Sequence, residues 1–245
     1  VLDSMGWHPL VSALILLIFG VMFGGAQGFI IDFCKIQPFI VTLAGLFLLR
    51  GLCFMVTLDA VPIQHEFVQF YSSIKLDLPG RGVLRSSALV MLVALALGVF
   101  IAHFTRFGNH VYAVGGDAES ARLMGVNIQT TTIKIYALAG FFSALAGIVY
   151  SLYTSSGYPL AGSTLELTAI AAVVLGGTLL TGGVGMVAGT LFGGMILGLI
   201  STLIIFHGSL NSAWIMISNG VLLFIFIVMH RVLVGSFDIK GGSKN

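Results

Sequence analysis

The sequence predicts an all-α, polytopic membrane protein, in which a bundle of helices crosses the bilayer several times. Of its 245 residues, 58% are hydrophobic and only 8% are charged, and the mean hydropathy is +1.08. Soluble globular domains carry about 25% charged residues, so this composition excludes an ordinary soluble domain. The formal net charge of +2 is too small to indicate nucleic acid as a partner.

Apolar segments of the right length justify the individual spans, because a transmembrane helix needs about 20 mostly apolar residues. Seven segments are candidates. The fifth is short and rich in glycine and threonine, which favours a broken or re-entrant segment over a full crossing. The segments are 9–30, 39–58, 86–104, 133–153, 165–180, 184–206 and 213–230.

The start of the chain bears on its completeness. The chain begins at Val1, and no charged segment precedes its first apolar run, so a secretory signal is not indicated. We expect N-terminal spans to be missing from it. Residues 1–245 are expected to form one transmembrane domain, and the segment 105–132 is expected to be a cytoplasmic loop within that domain.

Basic residues predict the orientation, because cytoplasmic loops carry an excess of Lys and Arg. With 105–132 inside, seven basic residues are cytoplasmic and three are external, and the opposite orientation reverses this ratio. The cytoplasmic set is Lys35, Arg106, Arg122, Lys134, Arg231, Lys240 and Lys244, and the external set is Lys75, Arg81 and Arg85. The C-terminus is then cytoplasmic, and four aromatic residues fall at the outer interface: Trp7, Tyr153, Tyr158 and Trp214.

Two glycine stripes predict close helix packing. Glycines four residues apart lie on one helix face and let a second backbone approach, which drives helix association in lipid. The packing could be within this chain or between two chains. The stripes are Gly20, Gly24 and Gly28 in the first segment, and Gly185, Gly189 and Gly193 in the sixth.

The stretch "LGGTLLTGGVG" at 175–185 predicts a break in a helix, because glycine weakens a helix by about 1 kcal/mol per residue. In lipid, a break is tolerated only where the freed backbone groups face protein or water. The segment 164–185 is therefore either a gate beside the translocation path or a tight corner. Its candidate path residues are Glu166, Thr168, Gly176, Gly177, Thr178, Thr181 and Gly182.

Arg50 is the one clear cation within a predicted span. An ionisable residue in that position is by default a functional candidate, and we include it among the candidate path residues. The alternatives are an interhelical pair, or a side chain that snorkels to the outer interface, which is near because Arg50 lies about 18 Å along the helix from the inner edge of the span.

The polar stretch "VGGDAESARLMGVN" at 114–127 predicts a short capped helix. Asp117 is a good N-cap, an acid in the first turn suits the helix dipole, and Gly125 suits a left-handed C-cap. Ala118, Ala121 and Met124 share one smooth face, which we expect to fit a socket on another protein. An interfacial helix lying on the bilayer is the alternative. The candidate docking residues are Asp117, Ala118, Glu119, Ser120, Ala121, Arg122, Leu123, Met124 and Gly125.

Three stretches together resemble the permease subunits of ribose-type sugar ABC importers over about residues 10 to 232. They are "FGNHVYAVGGDAESARLMGVN" with the following "KIYALAGFFSALAGIVY", "KIQPFIVTLAGLFLLRGL", and "LELTAIAAVVLGGTLLTGGVGMVAGTLFGG". Within that family the finer resemblance is to a permease subunit of the galactofuranose importer. The family's "GGIDLSVG"-like motif is absent. Thr168 stands where the family usually has an acid, so the role of that acid cannot be assigned to Thr168.

The resemblance implies a transport subunit of the bacterial inner membrane rather than an enzyme. Such importers pair two permease subunits, identical or different, with two cytosolic ATPases and a periplasmic binding protein. Residues 117–125 would be the coupling helix. The chain has no G-x-x-x-x-G-K-[ST] loop, so ATP and Mg²⁺ would be bound by the ATPase. The outer loops 59–85 and 154–164 are the expected surface for the binding protein.

Other classes of membrane protein remain as alternatives at this stage. A secondary transporter fragment would carry intramembrane carboxylates, which are scarce here. A structural subunit is compatible with the glycine stripes but leaves the capped helix unexplained. A membrane-embedded enzyme would need a catalytic or metal-binding constellation, and no spacing of His, Cys and carboxylate residues suggests one.

Overall fold

The computed structural model describes residues 9–63, 65–73, 75–78, 82–206, 213–225 and 228. Its helices are α1 (Pro9–Cys34), α2 (Pro38–Val56), α3 (Glu66–Ser73), α4 (Ser86–Phe104), α5 (Arg106–Gly116), α6 (Ala118–Leu123), α7 (Ile128–Thr154), α8 (Leu165–Leu175), α9 (Val187–Phe206) and α10 (Ala213–Ile225). Its strands are β1 (Val61–Pro62), β2 (Lys75–Leu78), β3 (Gly82–Arg85) and β4 (Ser156–Gly157). Five residues used to predict the orientation lie outside the described residues: Trp7, Arg81, Arg231, Lys240 and Lys244.

The all-α, polytopic prediction is confirmed. In the described part, five helices are long and apolar enough to cross a membrane: α1, α2, α4, α7 and α9. The fifth predicted segment is α8, whose 11 residues extend about 16 Å, well short of an apolar core of about 30 Å. Residues 176–186 after it are not helical, so the predicted break is confirmed.

Two helical features of the segment 105–132 were not predicted. Residues Arg106–Gly116 form α5, which Thr105 caps by accepting a hydrogen bond from the Gly108 N–H at 3.2 Å. The span α7 begins at Ile128, five residues before the predicted 133, because Asn127 Oδ1 accepts from the Thr130 N–H at 3.1 Å. The predicted loop is therefore largely helical.

The crossing of α1 on α7 is the most extensive helix contact in the described structure. A Cβ added to Gly20 would lie 2.6 Å from the Gly140 carbonyl oxygen, and one on Gly24 would run into the Tyr136 carbonyl. At Gly28, an added Cβ would lie 2.9 Å from the Cα of Ile133. The first glycine stripe thus packs within this chain, with backbone directly on backbone.

The second glycine stripe packs α9 against α8. An added Cβ on Gly189 would run into the Gly176 carbonyl, and one on Gly193 into the Ala172 carbonyl. Because the later residue of α9 meets the earlier residue of α8, the two helices are antiparallel. Gly185 lies at the start of this contact, where its added Cβ would be 2.8 Å from the Thr178 methyl.

Large apolar side chains cover the outside of the bundle, including Met22, Phe39 and Phe206 at 69, 71 and 85% exposed. Few apolar side chains are buried in the described structure, and they are Ile31, Val68, Ala121, Ala171 and Leu197. Exposed apolar faces on long helices suit contact with lipid or with other membrane helices. Burial between helices adds little in lipid, so close packing holds the bundle together.

Gly24→Ala tests the crossing of α1 and α7, and Gly51→Ala in α2 is its matched control. A Cβ on Gly51 meets nothing within 4 Å, whereas one on Gly24 meets the Tyr136 carbonyl. Overpacking costs about 1–3 kcal/mol, so we expect Gly24→Ala to lower the thermal unfolding midpoint of the detergent-solubilised protein. Gly51→Ala should leave the midpoint unchanged or raise it. Equal midpoints for the two variants would show that the helices do not meet at Gly24.

Candidate coupling and translocation site

The start of α6 has the predicted N-cap. The Asp117 carboxylate accepts hydrogen bonds from the Glu119 N–H at 2.8 Å and the Ser120 N–H at 2.9 Å. These bonds satisfy two of the backbone donors that a helix N-terminus leaves free. Glu119 in the first turn and Arg122 in the last turn also complement the helix dipole.

The end of α6 has the predicted left-handed glycine. Gly125 has a φ of +85°, and its N–H donates to the Arg122 carbonyl at 3.0 Å. The Val126 N–H donates to the Ala121 carbonyl at 3.0 Å, which completes a Schellman motif. Bonds at both ends make this six-residue helix a well-defined element, although its length alone would leave it marginal in water.

Ala118 and Met124 of the predicted face of α6 are exposed, but Ala121 is not. Ala121 is 0% exposed because α6 packs on α5 and α7, so the prediction that this residue docks onto another protein is wrong. Leu123 and Met124 are 85% and 72% exposed. The helical period places Glu119 and Leu123 opposite Ala121. The other exposed residues of the segment are Asp117, Ala118, Ser120, Arg122 and Gly125.

A contact between two Gly-Gly pairs joins the end of α5 to the α8–α9 loop. A Cβ added to Gly115 would lie 2.8 Å from the Gly183 nitrogen, and one on Gly183 would lie 2.7 Å from the Gly116 Cα. Gly182 also faces Gly115, and we call these four residues the double-glycine junction. Beside it, the Tyr112 hydroxyl donates to the Gly185 carbonyl at 3.0 Å. The break in the fifth segment therefore faces protein.

The glycines and threonines of 176–182 shape that loop. Gly177 has a φ of +86°, and its N–H donates to the Val174 carbonyl at 2.9 Å, while the Thr178 N–H donates to the Val173 carbonyl at 3.2 Å. This second Schellman motif ends α8 at Gly176. Gly182 has a φ of +91°, and Thr181 is exposed in the turn before it.

Glu166 and Thr168 lie at the other end of α8, about 15 and 12 Å from Gly176 by helical rise. Glu166 is exposed in the first turn, and the Thr168 hydroxyl accepts from Asn219 Nδ2 of α10 at 3.4 Å. Asn219 Oδ1 is buried without a partner. The sequence reasoning missed Asn219, although an amide within the apolar run "WIMISNGVLLF" was an available signal.

The structure does not bring Arg50 to the other candidate path residues. Arg50 is half-buried in α2, a helix that packs on α1 at Gly45 and Gln27. In the described structure, Arg50 makes no ion pair or hydrogen bond. The end of α2 at Val56 is about 9 Å away by helical rise, within reach of a long side chain.

The two loops that are predicted to be external, 59–85 and 154–164, meet at the opposite end of α7 from α6. β1 and β4 pair antiparallel, with Val61 opposite Gly157, and the Ile63 N–H donates to the Ser155 carbonyl at 2.9 Å. The 27 residues of α7 extend about 40 Å, so this paired region and α6 lie on opposite sides of the bundle.

The comparisons with known proteins identify the family. A family model described as the permease component of branched-chain amino acid transport systems matches residues 1–229. The chain belongs to this permease family. It is 51% identical to the inner membrane ABC transporter permease protein YjfF of Escherichia coli, over 99% of this chain and 73% of that protein. No solved structure matches the chain.

Two further relatives have names that include a substrate. The fructose import permease protein FruG of Bifidobacterium longum is 34% identical, over 99% of this chain and 72% of its own length. The ribose import permease protein RbsC of Escherichia coli is 36% identical, over 79% of this chain and 60% of its own length. The chain is thus a multi-pass inner-membrane permease subunit of the ABC class, a transport component rather than an enzyme. The family argues against a secondary transporter.

Gly115→Ala tests the double-glycine junction, and Gly116→Ala is its matched control one residue away. A Cβ on Gly116 would only touch the Gly183 Cα at 3.8 Å, an ordinary contact, whereas one on Gly115 would overlap the Gly183 backbone. We expect Gly115→Ala to cost about 1–3 kcal/mol of unfolding free energy and Gly116→Ala to cost little. Thermal unfolding in detergent measures both, and a neutral Gly115→Ala would contradict the junction.

Proposed function

We propose that this chain is a transmembrane subunit of an ATP-driven monosaccharide importer and that α6 is its docking element for a cytosolic ATPase. The observation that carries the proposal is the one-sided packing of α6. Its buried side holds Ala121 against the chain itself, while Leu123 and Met124 are exposed. Two exposed apolar side chains on a capped helix suit a socket on a partner.

In this proposal, the energy for transport comes from the ATPase that docks on the chain. The chain lacks the phosphate-binding loop of an ATPase, so ATP with Mg²⁺ belongs to the docked subunit. Burial of Leu123 and Met124 in that subunit would contribute about 1.5–3 kcal/mol for each side chain. An interfacial helix on the bilayer is a weaker interpretation, because α6 offers no Trp or Phe for insertion.

A switch between inward- and outward-open forms follows from this docking. ATP binding draws the two ATPases together, and the α6 helices of two permease subunits move with them. The double-glycine junction connects α6 through α5 to the loop between α8 and α9. That loop and α8 carry Thr168, Gly176, Gly177, Thr178 and Thr181, and we propose that they form the gate. The ATPases shift the equilibrium only through their different affinities for the two forms.

The external side of the proposed complex is the paired region of β1 and β4. It joins the loops 59–85 and 154–164, which supports them as one surface for a periplasmic sugar-binding protein. Loop 105–132 and the C-terminus would then be cytoplasmic. A second permease subunit, identical or different, would complete the translocation path.

The substrate class is proposed from the relatives, two of which are named for ribose and fructose import. Within that class we propose galactofuranose, on the strength of the motif resemblance described above. The family description names branched-chain amino acids, which makes leucine the informative competitor.

Leu123→Glu tests docking on the ATPase. We expect the charge to weaken co-purification of the ATPase with the tagged full-length subunit roughly thirtyfold, as for a central interface side chain. Leu58→Glu is the control, because Leu58 is also an exposed leucine, at 70%, but lies beside β1 at the other end of the bundle. Both variants should keep the thermal unfolding midpoint of wild type. Normal co-purification of Leu123→Glu would contradict docking through α6.

A second experiment tests the substrate. The complete transporter in proteoliposomes is given its binding protein with D-galactose, D-ribose, D-fructose or L-leucine, and ATP hydrolysis is measured. We expect stimulation with D-galactose, whose solution contains the furanose form, and none with L-leucine. Stimulation by D-ribose or D-fructose alone would reject galactofuranose and leave the sugar class intact. Stimulation by L-leucine alone would reject a sugar importer.

A further inference from the structure

A cavity lies between the two outer loops, at the far end of α7 from α6. Its volume is about 380 Å³, near the lower end of the range of about 300–1,000 Å³ for small-molecule sites. Ala60 contributes to its wall from the loop before β1, and the rest comes from α7 and the segment after it. We call this cavity the outer basin. Its lining residues with hydroxyl groups are Tyr150, Thr154, Ser156, Tyr158 and Ser163.

The outer basin offers hydroxyl groups and two aromatic rings. The Thr154 hydroxyl donates to the Tyr150 carbonyl at 2.9 Å, and the Ser163 hydroxyl donates to the Leu160 carbonyl at 2.9 Å. Both oxygens keep lone pairs that can accept hydrogen bonds from a ligand. Tyr150 and Tyr158 are 44% and 43% exposed, and within the described residues their hydroxyls have no hydrogen-bond partner.

The lining carries no charged side chain among the described residues. A zwitterionic amino acid would need groups that neutralise its ammonium and carboxylate, since unpaired charges are costly to desolvate. A neutral molecule with several hydroxyls needs only donors and acceptors, together with an apolar surface against which its C–H faces can pack. The outer basin has both features.

The segment that forms the outer basin has a constrained backbone. Ser155 and Thr164 have φ values of +50° and +73°, which residues with a side chain adopt infrequently. Gly162 between them has a φ of +81°. Ser155 also ends α7, with its N–H donating to the Ser151 carbonyl. Left-handed non-glycine residues persist where the surrounding structure holds them, and they cluster at binding sites.

We propose that the outer basin is a subsite that receives one neutral monosaccharide on the external side of the membrane, before the sugar reaches the gate at α8. The ring of Tyr158 would pack on a C–H face of the sugar, and the basin hydroxyls would bond its hydroxyl groups. This inference rests on the proposed function, because only a sugar importer would present such a ligand here.

The experiment measures equilibrium binding of tritiated D-galactose, D-ribose and D-fructose to the complete detergent-solubilised transporter without its binding protein. When the binding protein is omitted, weaker sugar binding by a variant cannot result from weaker docking of that protein on the loops. Tyr158→Ala should weaken binding of the transported sugar about tenfold, equivalent to about 1.4 kcal/mol. Tyr158→Phe keeps the ring and should lose less affinity than Tyr158→Ala. Ser163→Ala, a smaller change, should weaken binding about threefold.

Tyr153→Ala is the matched control, since Tyr153 is a half-exposed tyrosine one turn from Tyr150 but stacks under Arg85 outside the outer basin. Its sugar affinity should equal that of wild type. A wild-type transporter that takes up sugar but binds none without its binding protein would overturn the subsite. Unchanged affinity in both Tyr158→Ala and Ser163→Ala would also overturn it. A wild-type transporter that takes up no sugar at all would instead reject the proposed function.

Discussion

Direct contact of backbone on backbone at glycine is the interaction on which this bundle depends. Lipid is as apolar as a leucine side chain, so helices in a bilayer gain little by hiding apolar surface from it. They associate through close van der Waals packing, and small residues, glycine above all, let two helix backbones approach closely. The contact of Gly24 with Tyr136 holds α1 to α7, and the contact of Gly189 with Gly176 holds α9 to α8. The contact of Gly115 with Gly183 holds α5 to the loop between α8 and α9.

These glycine contacts connect the two ends of the molecule. α6 is joined to α7 at the Asn127 cap, and α7 leads without interruption to the outer basin. Through α5, α6 also meets the loop that ends α8. A displacement of α6 by a partner would therefore reach both the proposed gate and the end of α7 that is proposed to be external. Contacts made by backbone have little freedom to adjust, which suits the transmission of rigid-body motion.

The burial of Ala121 and the exposure of Leu123 show how much depends on neighbouring elements. The sequence pattern made Ala118, Ala121 and Met124 the smooth face, and a smooth face suits either an internal contact or an external socket. Asp117 lies in an extended conformation between α5 and α6, and α6 packs on α5 and α7 with Ala121 buried. The surface left for a partner is then the one around Leu123.

The sequence by itself determined the features that depend on local interactions. Composition set the membrane class, Asp117 and Gly125 set the ends of α6, and the glycine spacing set which helix faces pack closely. The tertiary structure alone decided which partners meet: Gly115 with Gly183, and Asn219 with Thr168. These residues are far apart in the chain, and nothing local distinguishes one close-packing partner from another. Periodicity identifies a face, but only the assembled helices determine what that face contacts.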